Sequence, residues 1–267
     1  MLLNDLVIAV KGAGEMATGV ACRLFSANFR RIFMMEIGTP LAVRRKVSFC
    51  EAIYDGSAQV EGITAVKVKN PSDVAGAWAN HTIPVLADPA WKAVKVLNPH
   101  VVIDAVIAKK NLGTTLSDAP LVIGLGPGFE AGKDVHMVIE TNRGHNLGRI
   151  LLEGCPEPNT GIPGPISGYT GERVLRSPCT GTFTSDFLIG ALVKKGDIVG
   201  RVNNAPVIAE IDGVIRGLIR KETHVTANLK IGDIDPRAKI DYCSSISEKA
   251  RTIGGSVLEA VLRHYNQ

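Results

Sequence analysis

The segment Gly12-Ala13-Gly14-Glu15-Met16-Ala17 is the first whose residue types and spacing could do chemistry, because it matches G-x-G-x-x-G/A. In that pattern the first glycine permits a tight turn and the second lets a pyrophosphate approach the backbone. The small residue at the end lets the following helix pack closely on the sheet. The N–H groups and positive dipole end of such a helix favour phosphate. Glu36 stands 24 residues after Gly12, where a carboxylate can accept hydrogen bonds from a ribose diol. Gly12, Ala13, Gly14, Glu15, Met16 and Glu36 therefore predict a cofactor site for a dinucleotide. The alternative is an ordinary strand-to-helix turn with Glu36 at a solvated strand end.

Further polar groups fall at the ends of apolar runs: Asp88, Asp104 with Lys109 and Lys110, Gly124-Leu125-Gly126-Pro127-Gly128, and Glu140-Thr-Asn-Arg-Gly-His145. Asp104, Gly124, Gly126 and Gly128 join the predicted cofactor-binding set. The second glycine run serves either as a cradle for another anionic group, with Lys133 close behind it, or as a plain turn. Arg44-Arg45-Lys46 suits an extra phosphate or a large anionic pterin, and equally a solvated basic face. Arg143 and His145 are candidates for proton transfer or for structural roles. No second histidine lies at metal-ligand spacing, and neither G-x-S-x-G nor H-E-x-x-H occurs, so no metal site and no nucleophile are predicted.

These groups need strands to present them. Apolar runs at Leu6–Val10, Arg31–Met35, Ile63–Val68, Ile83–Ala87, Val101–Ile103, Leu121–Leu125 and Val135–Ile139 read as strands. Helical spacing after Gly14, from Pro71 to Ala79 behind Asn70, and from Pro89 to Leu97 alternates with them. Such alternation predicts an α/β fold with a Rossmann-like, doubly wound parallel sheet over residues 1–172. In such a sheet ligands gather at the carboxyl ends of the strands.

The Pro/Gly-rich stretch from Gly154 to Gly171 reads as a crossing. Beyond it lies an internal repeat at a constant offset of 32 residues: Gly181 maps to Gly213, Phe183 to Ile215, Val193 to Val225, Gly196 to Asn228, Val199 to Ile231 and Gly200 to Gly232. The phrases Ser177–Phe183, Val193–Asp197 and Ala209–Ile215 resemble the strand and turn segments of biotinyl/lipoyl domains. That resemblance implies a small β-barrel over residues 173–242. Carrier domains hold a lysine at the hairpin tip, whereas the tip here, Val202-Asn203-Asn204-Ala205, has none, so no biotinylation or lipoylation is expected. Ser244–Tyr265 has helical periodicity, weakened by Gly254-Gly255, and predicts a C-terminal helix over residues 243–267.

With 45% apolar and 21% charged residues the chain can bury a sizeable core, and 5% aromatics leave Val, Ile, Leu and Ala to fill it. The net charge of +4 comes without a basic tract interleaved with aromatics, so no nucleic-acid partner is expected. Five dispersed cysteines, a first apolar run too short for a signal peptide, and no long apolar stretch predict a cytoplasmic protein with reduced thiols and no membrane partner.

Four phrases carry a wider resemblance: Lys11–Gly19, Gly124–Phe129, Val138–Gly148 and Lys230–Arg237. On these residues nearly the whole chain resembles the accessory-protein family associated with selenium-dependent molybdenum hydroxylases. The resemblance implies a role in cofactor maturation or insertion, with a molybdenum hydroxylase subunit as partner, and it carries over no catalytic residue. The cofactor is then a dinucleotide: NAD(P), FAD or molybdopterin dinucleotide. Two other readings fit the residues, an NAD(P)-dependent oxidoreductase with an appended barrel and a nucleotide-regulated docking scaffold. A homo-oligomer is compatible with each.

Overall fold

The computed structural model describes residues 2–266. The chain forms two units: one comprises the segment through Pro40, Ser48–Asn159 and Ile246 onward, the other Leu41–Val47 and Thr160–Ser245.

In the first unit, short apolar runs become strands because both faces of the sheet are covered. β1 (Val7–Lys11), β2 (Arg31–Glu36), β5 (Ile83–Ala87), β6 (Val101–Asp104) and β7 (Leu121–Leu125) are buried along most of their length. The nine strands run in the order β3-β4-β5-β2-β1-β6-β7-β8-β9, with β3 (Ser57–Val60), β4 (Ile63–Val68), β8 (Met137–Ile139) and β9 (Ile150–Leu151) completing it. Strands β4 through β8 are parallel, whereas β3 and β9 pair antiparallel at the two edges. β3 lies just beyond the four-residue helix α2 (Ala52–Asp55). The winding changes direction at β1, which has β2 on one side and β6 on the other.

Helices α3 (Val74–Ala79) and α4 (Lys92–Leu97) cover one face, packing Val74, Ala77, Ala93 and Val94 on Ala9, Phe33, Met35, Val102 and Val122. Against the rest of the sheet lie α1 (Glu15–Ser26) and α5 (Glu248–Tyr265). Among the described residues, no α-helix lies in the β6–β7 or β7–β8 connections. α5 takes their place, packing on α1, β7 and β8 after the chain has passed through the second unit. Its contact with α1 is close. A Cβ on Gly19 would lie 2.8 Å from the Cβ of Ala250, and one on Gly254 would lie 2.8 Å from the carbonyl oxygen of Gly19. Ser247, not Ser244 or Ser245, caps the helix, its side chain accepting from the N–H of Ala250.

The second unit contains β10 (Val174–Arg176), β11 (Gly181–Thr184), β12 (Leu192–Val193), β13 (Ile198–Val202), β14 (Ala205–Ile208), β15 (Gly213–Leu218), β16 (Thr223–Val225) and β17 (Lys230–Asp235). They form two four-stranded antiparallel sheets, β10-β17-β15-β12 and β14-β13-β11-β16. The offset of 32 maps β10–β13 onto β14–β17, and each sheet draws strands from both repeats. Equivalent residues meet equivalent demands. Gly196 and Asn228 both hold left-handed backbone, with φ of 97° and 65°. A Cβ on Gly200 or Gly232 would lie 2.6 Å or 2.7 Å from its neighbour. Phe183, Ile215, Val199 and Ile231 fill one core.

The expected architecture is thus corrected. The α/β class holds, but the chain does not form a Rossmann-like, doubly wound parallel sheet followed by one small barrel of the biotinyl/lipoyl type. The large sheet is mixed, two of its parallel crossovers lack helices, and the second unit is a pair of antiparallel sheets. The C-terminal helix belongs to the first unit.

Candidate functional site

The Gly12–Gly14 turn lies at the carboxyl end of β1, where the sheet's winding changes direction. Such a position leaves a crevice above the strands. Gly12 has φ +88°, and a Cβ on it would lie 3.2 Å from the backbone of Ala105 and Val106, so a side chain there is both strained and crowded. Gly14 is different. Its φ of −71° and ψ of −172° suit any residue, and a Cβ built on it meets no atom within 4 Å. It is the N-cap of α1 and has no side chain to occupy the first-turn N–H groups, which include those of Glu15, Met16 and Ala17.

The turn is fixed from behind. The carbonyl of Ala13 accepts from the N–H of Cys50 at 2.8 Å and the hydroxyl of Thr18 at 3.2 Å, while Thr18 Oγ1 accepts from the N–H of Phe49 at 2.8 Å. Glu36 closes it in front, accepting from the N–H of Ala13 at 2.9 Å and of Ile37 at 2.8 Å. Burial pushes the Glu36 carboxyl above its ordinary range, against those two hydrogen bonds. Glu15 accepts from Ser247 Oγ at 2.7 Å. Met16 is half-buried beside it.

Asp104 pairs in register with Lys11 across β1 and β6 and points into a buried network. Its Oδ2 accepts from Thr114 Oγ1 at 2.6 Å, and Lys11 Nζ donates to Thr114 at 2.8 Å and to Asp118 at 2.6 Å. Burial raises the Asp104 carboxyl, opposed by Thr114, the N–H of Val106 and Lys11. Lys11, Thr114 and Asp118 are contributors that motif reading passes over. The one signal was a lysine ending an apolar strand immediately before the glycine turn.

The second glycine run is filled by the chain itself. A Cβ on Gly124 would strike the ring of Phe129, one on Gly126 the side chain of Thr141, and one on Gly128 the backbone of Lys110. Glu140 is buried and accepts from the N–H of Asn142 at 2.6 Å and of Glu157 at 2.7 Å. Glu157 in turn holds Asn146 at 2.9 Å and Asn142 at 2.5 Å, and these contacts keep its carboxyl below the ordinary range. His145 is exposed, Arg143 pairs with Glu248, and Lys133 pairs with Glu130 at 2.9 Å on the surface.

Two further sequence phrases resolve into packing within the second unit. Arg44 donates to the carbonyls of Tyr242 and Ser245 at 2.6 and 3.0 Å, and Arg45 to that of Leu218 at 2.8 Å. From Lys230–Arg237, Asp233 and Asp235 point inward and are held by Arg173, Arg216 and Arg237. Among the described residues no group of three or more His, Cys, Asp or Glu side chains could hold a metal ion, and no helix is long and apolar enough to cross a membrane.

No family model matches the chain. It is 44% identical over 261 residues to the uncharacterized protein YqeB of Escherichia coli (strain K12), an alignment covering 98% of this chain and 48% of that protein. The chain therefore spans about half the length of the curated relative it matches. Among solved structures, an aspartoacylase family protein from Mesorhizobium loti is 14% identical with a TM-score of 0.28, over 85% of this chain and 84% of that one. The ectoine utilization protein EutE (DoeB) from Ruegeria pomeroyi is 12% identical with a TM-score of 0.26, over 86% and 85%. At these values the likeness assigns neither fold nor activity.

Proposed function

We propose that the first unit binds a dinucleotide, with its pyrophosphate over Gly14 and a ribose toward Glu36. In this reading the chain is an accessory protein that holds the cofactor, a molybdopterin dinucleotide or a related dinucleotide, during maturation or insertion into a selenium-dependent molybdenum hydroxylase. The observation that carries the binding is the contrast between glycines. Gly124, Gly126 and Gly128 are small because their own chain fills the space above them, whereas Gly14 faces open space in a backbone conformation that demands no glycine. A glycine between the strand and the helix N-terminus, with nothing packed against it, leaves room for a ligand to approach the backbone. The resemblance of the four phrases to the accessory-protein family supplies the cellular role.

The test is Gly14→Val, which the backbone accommodates. The melting temperature should stay unchanged, while calorimetric affinity for NAD+ and for molybdopterin dinucleotide, whichever binds the unsubstituted chain, falls by at least a hundredfold. Equal affinity in the two proteins, or no binding of either dinucleotide to the unsubstituted chain, overturns the reading.

A further inference from the structure

Glu36 ends β2 with both carboxylate oxygens fixed by the chain. Oε2 accepts from the N–H of Ala13 in the glycine turn at 2.9 Å, and Oε1 from the N–H of Ile37 at 2.8 Å. These two donors favour the charged form against the cost of burial. A carboxylate oxygen has two lone pairs, so each keeps one acceptor position beyond the one that the backbone uses. A vicinal diol, with two O–H donors side by side, matches that pair. Because the turn itself holds the carboxylate, the acid cannot swing aside for a ligand of another shape without releasing the N–H of Ala13.

Nothing on the chain prepares this place for an extra phosphate. Among the described residues Glu36 forms no ion pair, and residues 37–43, which follow it, contain no Lys, Arg or His. The neighbouring strand end adds a second acid. β5 pairs with β2, and Asp88, just past β5, donates its N–H to the Glu36 carbonyl at 2.9 Å while its carboxylate accepts from the N–H of Ala93 at 2.7 Å. The basic run Arg44-Arg45-Lys46, which an extra phosphate would need, belongs to the second unit. There Arg44 donates to the carbonyls of Tyr242 and Ser245, and Arg45 to that of Leu218. A phosphate beside Glu36 would bring acceptor oxygens of like charge to an acceptor already fixed in place.

We propose that Glu36 is the specificity-determining residue of the site: it accepts from a free ribose diol, as in NAD+, and rejects a dinucleotide whose ribose carries a 2′-phosphate, as in NADP+. This rests on the dinucleotide reading and deepens it by naming the class of ligand that the site admits.

Calorimetry of the full chain with NAD+ and NADP+ at one ionic strength tests it. NAD+ should bind at least tenfold more tightly. Glu36→Gln, which removes the charge and keeps an acceptor for one N–H, should narrow that gap. Gly38→Arg places a cation two residues beyond Glu36, where a Cβ meets no atom within 4 Å and the backbone is not left-handed, and should strengthen NADP+ binding while leaving NAD+ nearly unchanged. Equal affinities, tighter binding of NADP+, or no binding of NAD+ overturns the role of Glu36. If a dinucleotide binds and Gly14→Val abolishes it, yet NAD+ and NADP+ are not distinguished, the selectivity falls and the dinucleotide reading stands. A preference for NAD+ that survives Gly14→Val leaves Glu36 its role and removes the pyrophosphate from Gly14.

Discussion

Lys11 carries an ammonium into the interior at the point where the glycine turn begins, and three groups receive it. Thr114 and Asp118 accept hydrogen bonds, and the Trp91 ring lies 5.8 Å from the charge. Thr114 passes the interaction on to Asp104, so one lysine orders both the end of β6 and the connection that follows it. Removing one partner of a buried pair strands the other. Lys11→Met should therefore destabilise the chain by about 2–4 kcal/mol, the lower end reflecting the partial exposure of Asp118. Chemical denaturation measures it. Adding Asp118→Leu should recover part of the loss, since the stranded carboxylate is then gone, whereas an additive double variant would show that the pair is not the cause. None of this was legible from the motif, which names the glycines and the distant acid but not the residue that braces them. The place of Glu36 at the end of the second strand was legible, because the apolar run stops there, but its hydrogen bonds to the N–H groups of Ala13 and Ile37 were not.

The elements divide by how local their causes are. Ile83–Ala87 and Leu121–Leu125 are strands with the bounds that their apolar runs suggest, since burial on both faces leaves a plain signature, and Ile63–Val68 keeps its bounds with only Ala65 and Val68 buried. β3 escaped because only one of its four residues is buried, and β9 because two residues show no period. The missing crossover helices escaped for another reason. Alternation implies that each parallel strand brings its own helix, yet α5 covers β7 and β8 from the far end of the chain, and tertiary packing of that kind has no local mark. Gly254 and Gly255 make the point testable. As neighbours in one helix they look alike in sequence, and each lowers helix propensity. A Cβ on Gly254 would press on Gly19, whereas one on Gly255 meets nothing within 4 Å. Gly254→Ala should destabilise by about 1–3 kcal/mol through overpacking, and Gly255→Ala should stabilise by about 0.5–1 kcal/mol through propensity. Thermal melts of the two variants check the opposite signs; equal signs would remove the close α1–α5 contact from the account.

At the scale of the whole molecule, two carboxyls of the first unit and two of the second are shifted in opposite directions. In the first, burial raises Glu36 and Asp104 above their ordinary ranges. In the second, burial would raise Asp233 as well, but Lys230, Arg216 and Arg173 outweigh it and hold the carboxyl low; Arg237 and Arg216 do the same for Asp235. The signs of the linkage follow. A carboxyl raised in the folded state costs stability while ionised, and that cost is relieved as pH falls through its folded pKa. A depressed carboxyl contributes stability that is fully present above the unfolded value, 3.8 for aspartate, and is lost as pH falls below it toward the folded value. Acid should therefore loosen the second unit first. Protonating Asp233 removes the counter-charge that Arg173 and Arg216 share and leaves Asp235 as the carboxylate facing Arg216, which is the costly way to break such a network. Hydrogen exchange read by mass spectrometry, corrected for intrinsic rates, should show β15 and β17 losing protection below about pH 4, the side of the unfolded aspartate value on which the linkage acts, while β1 and β6 keep theirs. Asp233→Asn should lower that protection already at neutral pH and flatten its dependence on acid. Loss of protection in β1 and β6 at the same pH as in β15 and β17, or before it, would mean that the buried ion network does not set the acid response.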